Sequence, residues 1–190
     1  YKDLAMAIEY VGSNYSNKIG VLSITTNGTI IPDEKILNVS HKYNVLYRIS
    51  NYINAIPKLQ SQYQKLTEKL GEYDIPYILG KAEEEWFDYG FGHYIDRSDE
   101  SELIKKFDRC NTPCREIRDS RLYFCVMART SSDNLEMNAG NDDYLDLSEI
   151  NNDLNGKKIL TEFNLGYSYK GYIDMCRFCH GADSYKYVVK

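Results

Sequence analysis

Two periodicities alternate along the first eighty residues. Leu4, Ala7, Ile8 and Val11 recur at helical spacing within residues 1–16. Residues 19–25, Ile-Gly-Val-Leu-Ser-Ile-Thr, form an apolar run of strand length that stops at the turn signal Asn27-Gly28. Pro32-Asp33-Glu34 predicts a helix start, with carboxylates at the positive end of the dipole, and the helix is expected to run to Lys42. Residues 44–50 read as a second strand. A helix over 55–71 follows, with Ile56, Leu59, Tyr63, Leu66 and Leu70 on one face and Gly71 as its stop. Residues 74–80 read as a third strand. Helix and strand in strict alternation predict βαβ units, a parallel sheet and right-handed crossovers. Three strands leave edges to cover, so they are expected to be part of a larger barrel or sheet. Ligands in such folds sit at the carboxyl ends of the strands. That points to Thr25, Thr26 and Asn27 after the first strand and to Ser50, Asn51 and Tyr52 after the second; the alternative is that these are plain turn and cap residues.

The pattern changes after Tyr94. Ser98-Asp99-Glu100-Ser101-Glu102 opens a short helix ending near Phe107. Residues 115–127 read as a hairpin turning at Asp119-Ser120, with Arg121-Leu-Tyr-Phe-Cys125 as its second strand. The polar stretch Ser131–Asp143 reads as a loop. Asp146-Leu147-Ser148 starts another helical segment, and 157–164 a further one, before the glycines Gly166, Gly171 and Gly181. The chain therefore divides into residues 1–95, α/β and parallel, and residues 96–190, short of apolar residues and rich in loops.

Composition narrows the class. In 190 residues, 43% are hydrophobic and 27% charged, which is ordinary for a globular chain. The net charge of −5 argues against a nucleic-acid or anionic-membrane partner. No apolar run approaches the roughly 18 residues that span a bilayer, and no signal-peptide pattern is visible. The chain begins at Tyr1, inside an expected helix, and reads as part of a longer protein.

The strongest chemical signal is cysteine. The first 109 residues have none; Cys110, Cys114, Cys125, Cys176 and Cys179 all follow. Five thiols cannot all pair, and Cys176-x2-Cys179 is too tight for a routine structural bridge, so reduced, metal-binding thiols in a cytoplasmic setting are expected. Four thiolates suit an iron–sulfur cluster or a zinc ion. A zinc knuckle would draw two ligands from Cys110-x3-Cys114 and two from Cys176-x2-Cys179, leaving Cys125 spare. Cys176-Arg-Phe-Cys179-His180 also fits the c-type haem attachment pattern, and Cys-x-x-Cys is the thioredoxin redox motif. His41 reads as a helix surface residue. His93, in Tyr89-Gly-Phe-Gly-His-Tyr94, lies in a loop that either bends tightly or carries chemistry.

These residues together resemble radical SAM enzymes. Ile24-Thr-Thr-Asn-Gly-Thr-Ile30 with Pro32-Asp-Glu34 is similar to the fourth-strand region of that superfamily, and Arg48-Ile-Ser-Asn-Tyr52 to the end of the next strand. The cysteine half resembles the auxiliary-cluster domains called SPASM and twitch. Their first segment runs Cys, nine to fifteen residues, Gly, four residues, Cys; here Cys110 is followed by nine residues, Ser120, four residues and Cys125. Ser120 stands where the family has Gly.

The resemblance implies a partial parallel (β/α) barrel followed by a small cysteine-rich α+β domain. It implies one auxiliary [4Fe–4S] cluster on Cys110, Cys125, Cys176 and Cys179, with Cys114 a substitute ligand or a free thiol. It places Thr26, Asn27, Ser50 and Asn51 where the superfamily contacts S-adenosylmethionine. The Cys-x3-Cys-x2-Cys loop that holds the family's catalytic cluster is absent, so this chain is expected to be inactive alone. The intact enzyme would carry S-adenosylmethionine and a second [4Fe–4S] cluster. It would form a 5′-deoxyadenosyl radical and abstract hydrogen from a peptide or small-molecule substrate, fed by a reductant such as flavodoxin or ferredoxin. The rival expectation is a zinc-stabilised binding module without catalysis.

Overall fold

The computed structural model describes residues 2–82, 85–110, 114–135, 137, 140, 142–167 and 169–188. The chain forms two compact units, Tyr1–Glu84 and Glu85–Lys190.

In the first unit, α1 (Leu4–Tyr15), β1 (Ser23–Thr26), α2 (Glu34–Lys42), β2 (Leu46–Ile49), α3 (Gln60–Glu72) and β3 (Tyr77–Leu79) follow in order. The three strands pair in parallel in the order β1-β2-β3, with Thr25 opposite Arg48 and Arg48 opposite Ile78. Period-two burial separates the faces. Tyr47 and Ile49 point into a core with Ile8 of α1, Leu37 of α2 and Tyr63, Leu66 and Leu70 of α3. The opposite face carries Ser23, Thr25, Arg48 and Ile78, all exposed. Asp33 caps α2, its Oδ1 accepting from Ile36 N at 2.9 Å, which is the start that Pro32-Asp33-Glu34 signals.

The helices are held by two close approaches. The Tyr43 ring at the end of α2 lies against Gly12 of α1, where a methyl group would overlap it. Tyr43 Oη and Lys42 Nζ both donate to Glu9 Oε1, at 2.7 and 2.8 Å. At the other end of the sheet, Tyr63 Oη donates to Ser50 O at 3.0 Å and accepts from Tyr52 N at 3.1 Å. Gly28, at φ +69°, lets the chain pass over that same ring.

The second unit contains α4 (Glu100–Arg109), an antiparallel hairpin of β4 (Glu116–Arg118) and β5 (Arg121–Tyr123), α5 (Val126–Asn134), β6 (Tyr144–Asp146) and α6 (Leu154–Asn164). Strand order is β4-β5-β6. Asp99 and Asp153 cap α4 and α6 through their carboxylates. Asp119 and Ser120 make the hairpin turn at φ +49° and +61°, the left-handed pair of a two-residue β-turn. Two stretches, Asp174–Phe178 and Gly181–Lys186, form 3-10 turns.

Several local expectations are corrected here. The strand expected over Arg121–Cys125 ends at Tyr123, and Cys125 is the N-cap of α5. The start of the expected loop Ser131–Asp143 continues α5 to Asn134; residues 136, 138, 139 and 141 of that stretch lie outside the described residues. Tyr144–Asp146, given no element in the sequence reading, is a strand pairing with β5, and Asp146 then caps the 3-10 turn Leu147–Glu149, where a helical start was expected. Residues 85–95, grouped by sequence with the first half, belong to the second unit. His180 N donates to Tyr89 O at 2.8 Å, Asp96 N to Arg177 O at 2.6 Å and Asp88 N to Tyr187 O at 2.7 Å, so this segment runs against the Cys-x2-Cys turn. None of the described helices is long and apolar enough to cross a membrane.

Candidate metal centre

Three separate segments supply the thiols. Cys110 is the C-cap of α4, reached because Leu103, Lys106, Phe107 and Cys110 repeat at helical spacing on its inner face. Cys125 is the N-cap of α5, brought in by the hairpin turn at Asp119-Ser120. Cys176 lies within the 3-10 turn Asp174–Phe178 and Cys179 caps its end. All four line one cavity of about 40 Å³, several times the space one water requires. Phe107, Phe124, Met127 and Met175 make most of the remaining wall apolar. The buried core of this unit, Ala128, Ile173 and Met175, packs directly around these side chains.

Cys114 is not part of that lining. It is exposed, and its carbonyl accepts from Val126 N at 3.3 Å, so it holds the start of α5 through its backbone. Residues 111–113, between Cys110 and Cys114, lie outside the described residues.

All five thiols are free of disulfides. Burial pushes the Cys176 thiol up to about 12 and Cys179 up to about 11, and raises Cys125 as well. Nearby backbone donors work against burial. Gly181 N donates to Cys179 Sγ at 3.2 Å, and the N–H groups of Met127 and Ala128, in the first turn of α5, pull Cys125 downward. Such N–H···S contacts favour a thiolate once a cation shares its charge.

One cation is already in the wall. Lys106, on the apolar face of α4, lines the cavity. Its Nζ lies 2.6 Å from Asp96 Oδ2 and donates to Cys176 O at 2.8 Å. Sequence reading passed over both residues. The available signal was a lysine at a helical position three residues after Leu103 and four before Cys110, where an apolar residue would be expected.

The donor types are those a thiolate-bound cluster takes: four sulfurs from three segments, an apolar wall and N–H donors on sulfur. Zinc would need its four ligands about 2.3 Å from a single point. Among the described residues no three Cys, His, Asp or Glu side chains form a group placed to hold a metal ion, which bears on a cluster as well as on zinc. The knuckle set also requires Cys114 in place of Cys125, against the cavity lining. A c-type haem is disfavoured because His180 is not in the lining. Its ring stacks on Tyr187 at 3.9 Å and meets the Tyr94 ring at a tilt, with centroids 4.2 Å apart. His93 pairs with Asp88, Nε2 to Oδ2 3.0 Å, and is exposed; His41 is exposed on α2.

The residues expected at S-adenosylmethionine gather at the carboxyl end of the parallel sheet. There, Thr26 Oγ1 accepts from Gly28 N and Asn27 Oδ1 from Thr29 N, each at 3.1 Å. Asn51 Oδ1 accepts from Ile53 N at 3.1 Å, and its amide donates to Gly80 O at 3.0 Å. Ser50 N donates to Thr26 O at 2.8 Å. These bonds make turns and tie β1, β2 and β3 together. Comparison with protein-family models, curated proteins and solved structures gives no match to this chain.

Proposed function

We propose that the Glu85–Lys190 unit is an auxiliary-cluster domain that holds one [4Fe–4S] cluster on Cys110, Cys125, Cys176 and Cys179, within a radical SAM oxidoreductase. One observation carries this reading. The four thiols that the resemblance implies as ligands are the four that line a common apolar cavity, and Cys114, the doubtful fifth, is outside it. A bound cluster supplies a one-electron redox centre or a Lewis-acidic iron. The chain's own residues do the rest. The thiols hold it from three segments, so the group cross-links a unit whose apolar core is small. Phe107, Phe124 and Met127 exclude water. Gly181 N steadies the Cys179 sulfur, and Lys106 places a positive charge in the wall.

The first unit supports the same reading more loosely. Its helices cover one face of a parallel sheet, while Ser23, Thr25, Arg48 and Ile78 occupy the other. Parallel sheets are ordinarily covered on both faces. A polar-lined uncovered face suits a barrel interior, with Thr26, Asn27, Ser50 and Asn51 at the rim where S-adenosylmethionine would bind. In the intact enzyme that nucleoside sulfonium would be cleaved to a 5′-deoxyadenosyl radical, which takes hydrogen from a substrate.

The test is anaerobic reconstitution of the chain with iron and sulfide. About four iron and four sulfide per chain are expected. Uptake should fall in each of Cys110→Ser, Cys125→Ser, Cys176→Ser and Cys179→Ser and persist in Cys114→Ser. Stoichiometric zinc in anaerobically purified protein, lost in Cys114→Ser but kept in Cys125→Ser, would establish the binding-module reading instead.

A further inference from the structure

We propose that the Lys106–Asp96 pair is a fixed dipole that tunes the thiol cavity, its positive end raising the reduction potential of the group the cysteines hold. The inference rests on the cluster reading above. Lys106 lines the thiol cavity and also, with Asp96, a separate polar pocket shared by Ser98, Glu102, Arg109 and His180; Asp96 lines only the second. The pair has a direction because the ammonium donates to Cys176 O at 2.8 Å, a bond to a thiol-bearing residue that the Asp96 carboxylate, itself an acceptor, cannot make.

The pair is also held rigidly. Lys106 and Asp96 side chains are only 11% and 9% exposed. Asp96 Oδ1 accepts from Ser98 N at 2.9 Å, and its backbone N–H reaches Arg177 O in the Cys-x2-Cys turn. Lys106 Nζ is fixed between Asp96 Oδ2 and Cys176 O and faces the Tyr94 ring at 5.3 Å. A buried ion pair is weak evidence for stability, since apolar side chains of similar size serve a core as well or better. Placement beside a ligand's own carbonyl gives this one a second purpose.

The direction of the effect follows from charge. One electron from dithionite takes an oxidised [4Fe–4S] centre with four thiolates from net charge −2 to −3. A nearby ammonium stabilises the more negative state more strongly, and the more distant carboxylate offsets part of that. Removing the two halves must therefore move the potential in opposite directions.

The experiment uses the full chain, reconstituted anaerobically and titrated with dithionite and redox mediators, with reduction followed by electron paramagnetic resonance. Lys106→Met should lower the midpoint potential and Asp96→Asn raise it. Each should change the oxidised-to-reduced ratio at fixed potential by about tenfold, or about 59 mV for a one-electron couple. Lys106→Arg keeps the charge and should stay near the unsubstituted chain. Shifts of the same sign in Lys106→Met and Asp96→Asn, no shift in either, or a Lys106→Arg shift as large as that of Lys106→Met would overturn the proposal. If Lys106→Met does not fold, Asp96→Asn decides alone: a rise supports the dipole, and anything else refutes it. An unsubstituted chain that takes up no cluster fails at an earlier step, which rejects the function reading and this inference together.

Discussion

Lys106 Nζ lies 2.6 Å from Asp96 Oδ2, a buried ion pair whose lysine side chain lines the same cavity as four thiols. Burial by itself would push the Asp96 carboxyl up. Hydrogen bonds from Lys106 and Ser98 outweigh it and hold the group down at about 2.

Stability should therefore depend on acid in a defined window. Asp96 is easier to deprotonate in the folded chain than in the unfolded one, where carboxyls titrate near 3.9. Its contribution, about 2.5 kcal/mol, is complete above that value and disappears as pH falls through about 2. Urea unfolding between pH 2 and 5 should show this loss in the native chain and little of it in Asp96→Asn.

Asp143 should act in the opposite sense at higher pH. It is fully buried, and burial raises it to about 6 although Met175 N and Gly140 N both donate to its carboxylate, at 3.0 and 2.6 Å. The folded state keeps the proton that the unfolded state has released, so stability falls as pH climbs from about 4 to above 6, by about 3 kcal/mol. Asp143→Asn removes that slope. It also leaves one backbone N–H without an acceptor, costing about 1–3 kcal/mol. The variant should be the less stable protein at pH 5, with the gap closing by pH 8 in chemical unfolding.

Thiol chemistry offers a third check. In metal-free protein at pH 8, Cys114 is exposed, while Cys176 and Cys179 are partly buried thiols raised far above that pH. Only thiolate reacts. Iodoacetamide labelling followed by peptide mass spectrometry should modify Cys114 first, with Cys176 and Cys179 slower by at least about a hundredfold until denaturant is added. Equal rates would mean that these thiols are not shielded.

The hairpin turn carries removable strain. Ser120 sits at φ +61°, where an L side chain costs about 1–2 kcal/mol and glycine very little. Ser120→Gly should stabilise the second unit by about 1 kcal/mol, seen as a higher thermal midpoint, and leave metal uptake by Cys125 intact.

Gly12 is the converse case. Alanine favours a helix interior by about 1 kcal/mol over glycine, yet its methyl would overlap the Tyr43 ring. Gly12→Ala should lower the thermal midpoint, and Gly12→Ala with Tyr43→Ala should show less than additive loss.

Much of the first unit is legible in the chain because its signals are local. Helical spacing from Leu4 to Val11, the Asp33 cap and the Leu59–Leu70 face each act within one or two turns, and they end where α1, α2 and α3 end to within a few residues. The spacing of Cys110 and Cys125 is local in the same way: the two flank one hairpin that turns at Ser120, so their separation is a property of consecutive residues. Ser120's positive φ is a backbone state that glycine adopts at less cost.

Tertiary structure decided what consecutive residues cannot encode. Arg121–Cys125 has the composition of a strand, but the chain turns into α5 after Phe124, so Cys125 meets helix N–H groups rather than a sheet neighbour. Residues 85–95 look like the tail of the α/β half, yet their backbone bonds run to His180 and Tyr187, some ninety residues or more away. Lys106 reads as an ordinary surface lysine until Asp96 and the carbonyl of Cys176 close around it. Local periodicity depends on the backbone's own geometry and is written into the sequence. A buried charge is tolerable only where distant groups happen to meet it, and only the folded chain brings those groups together.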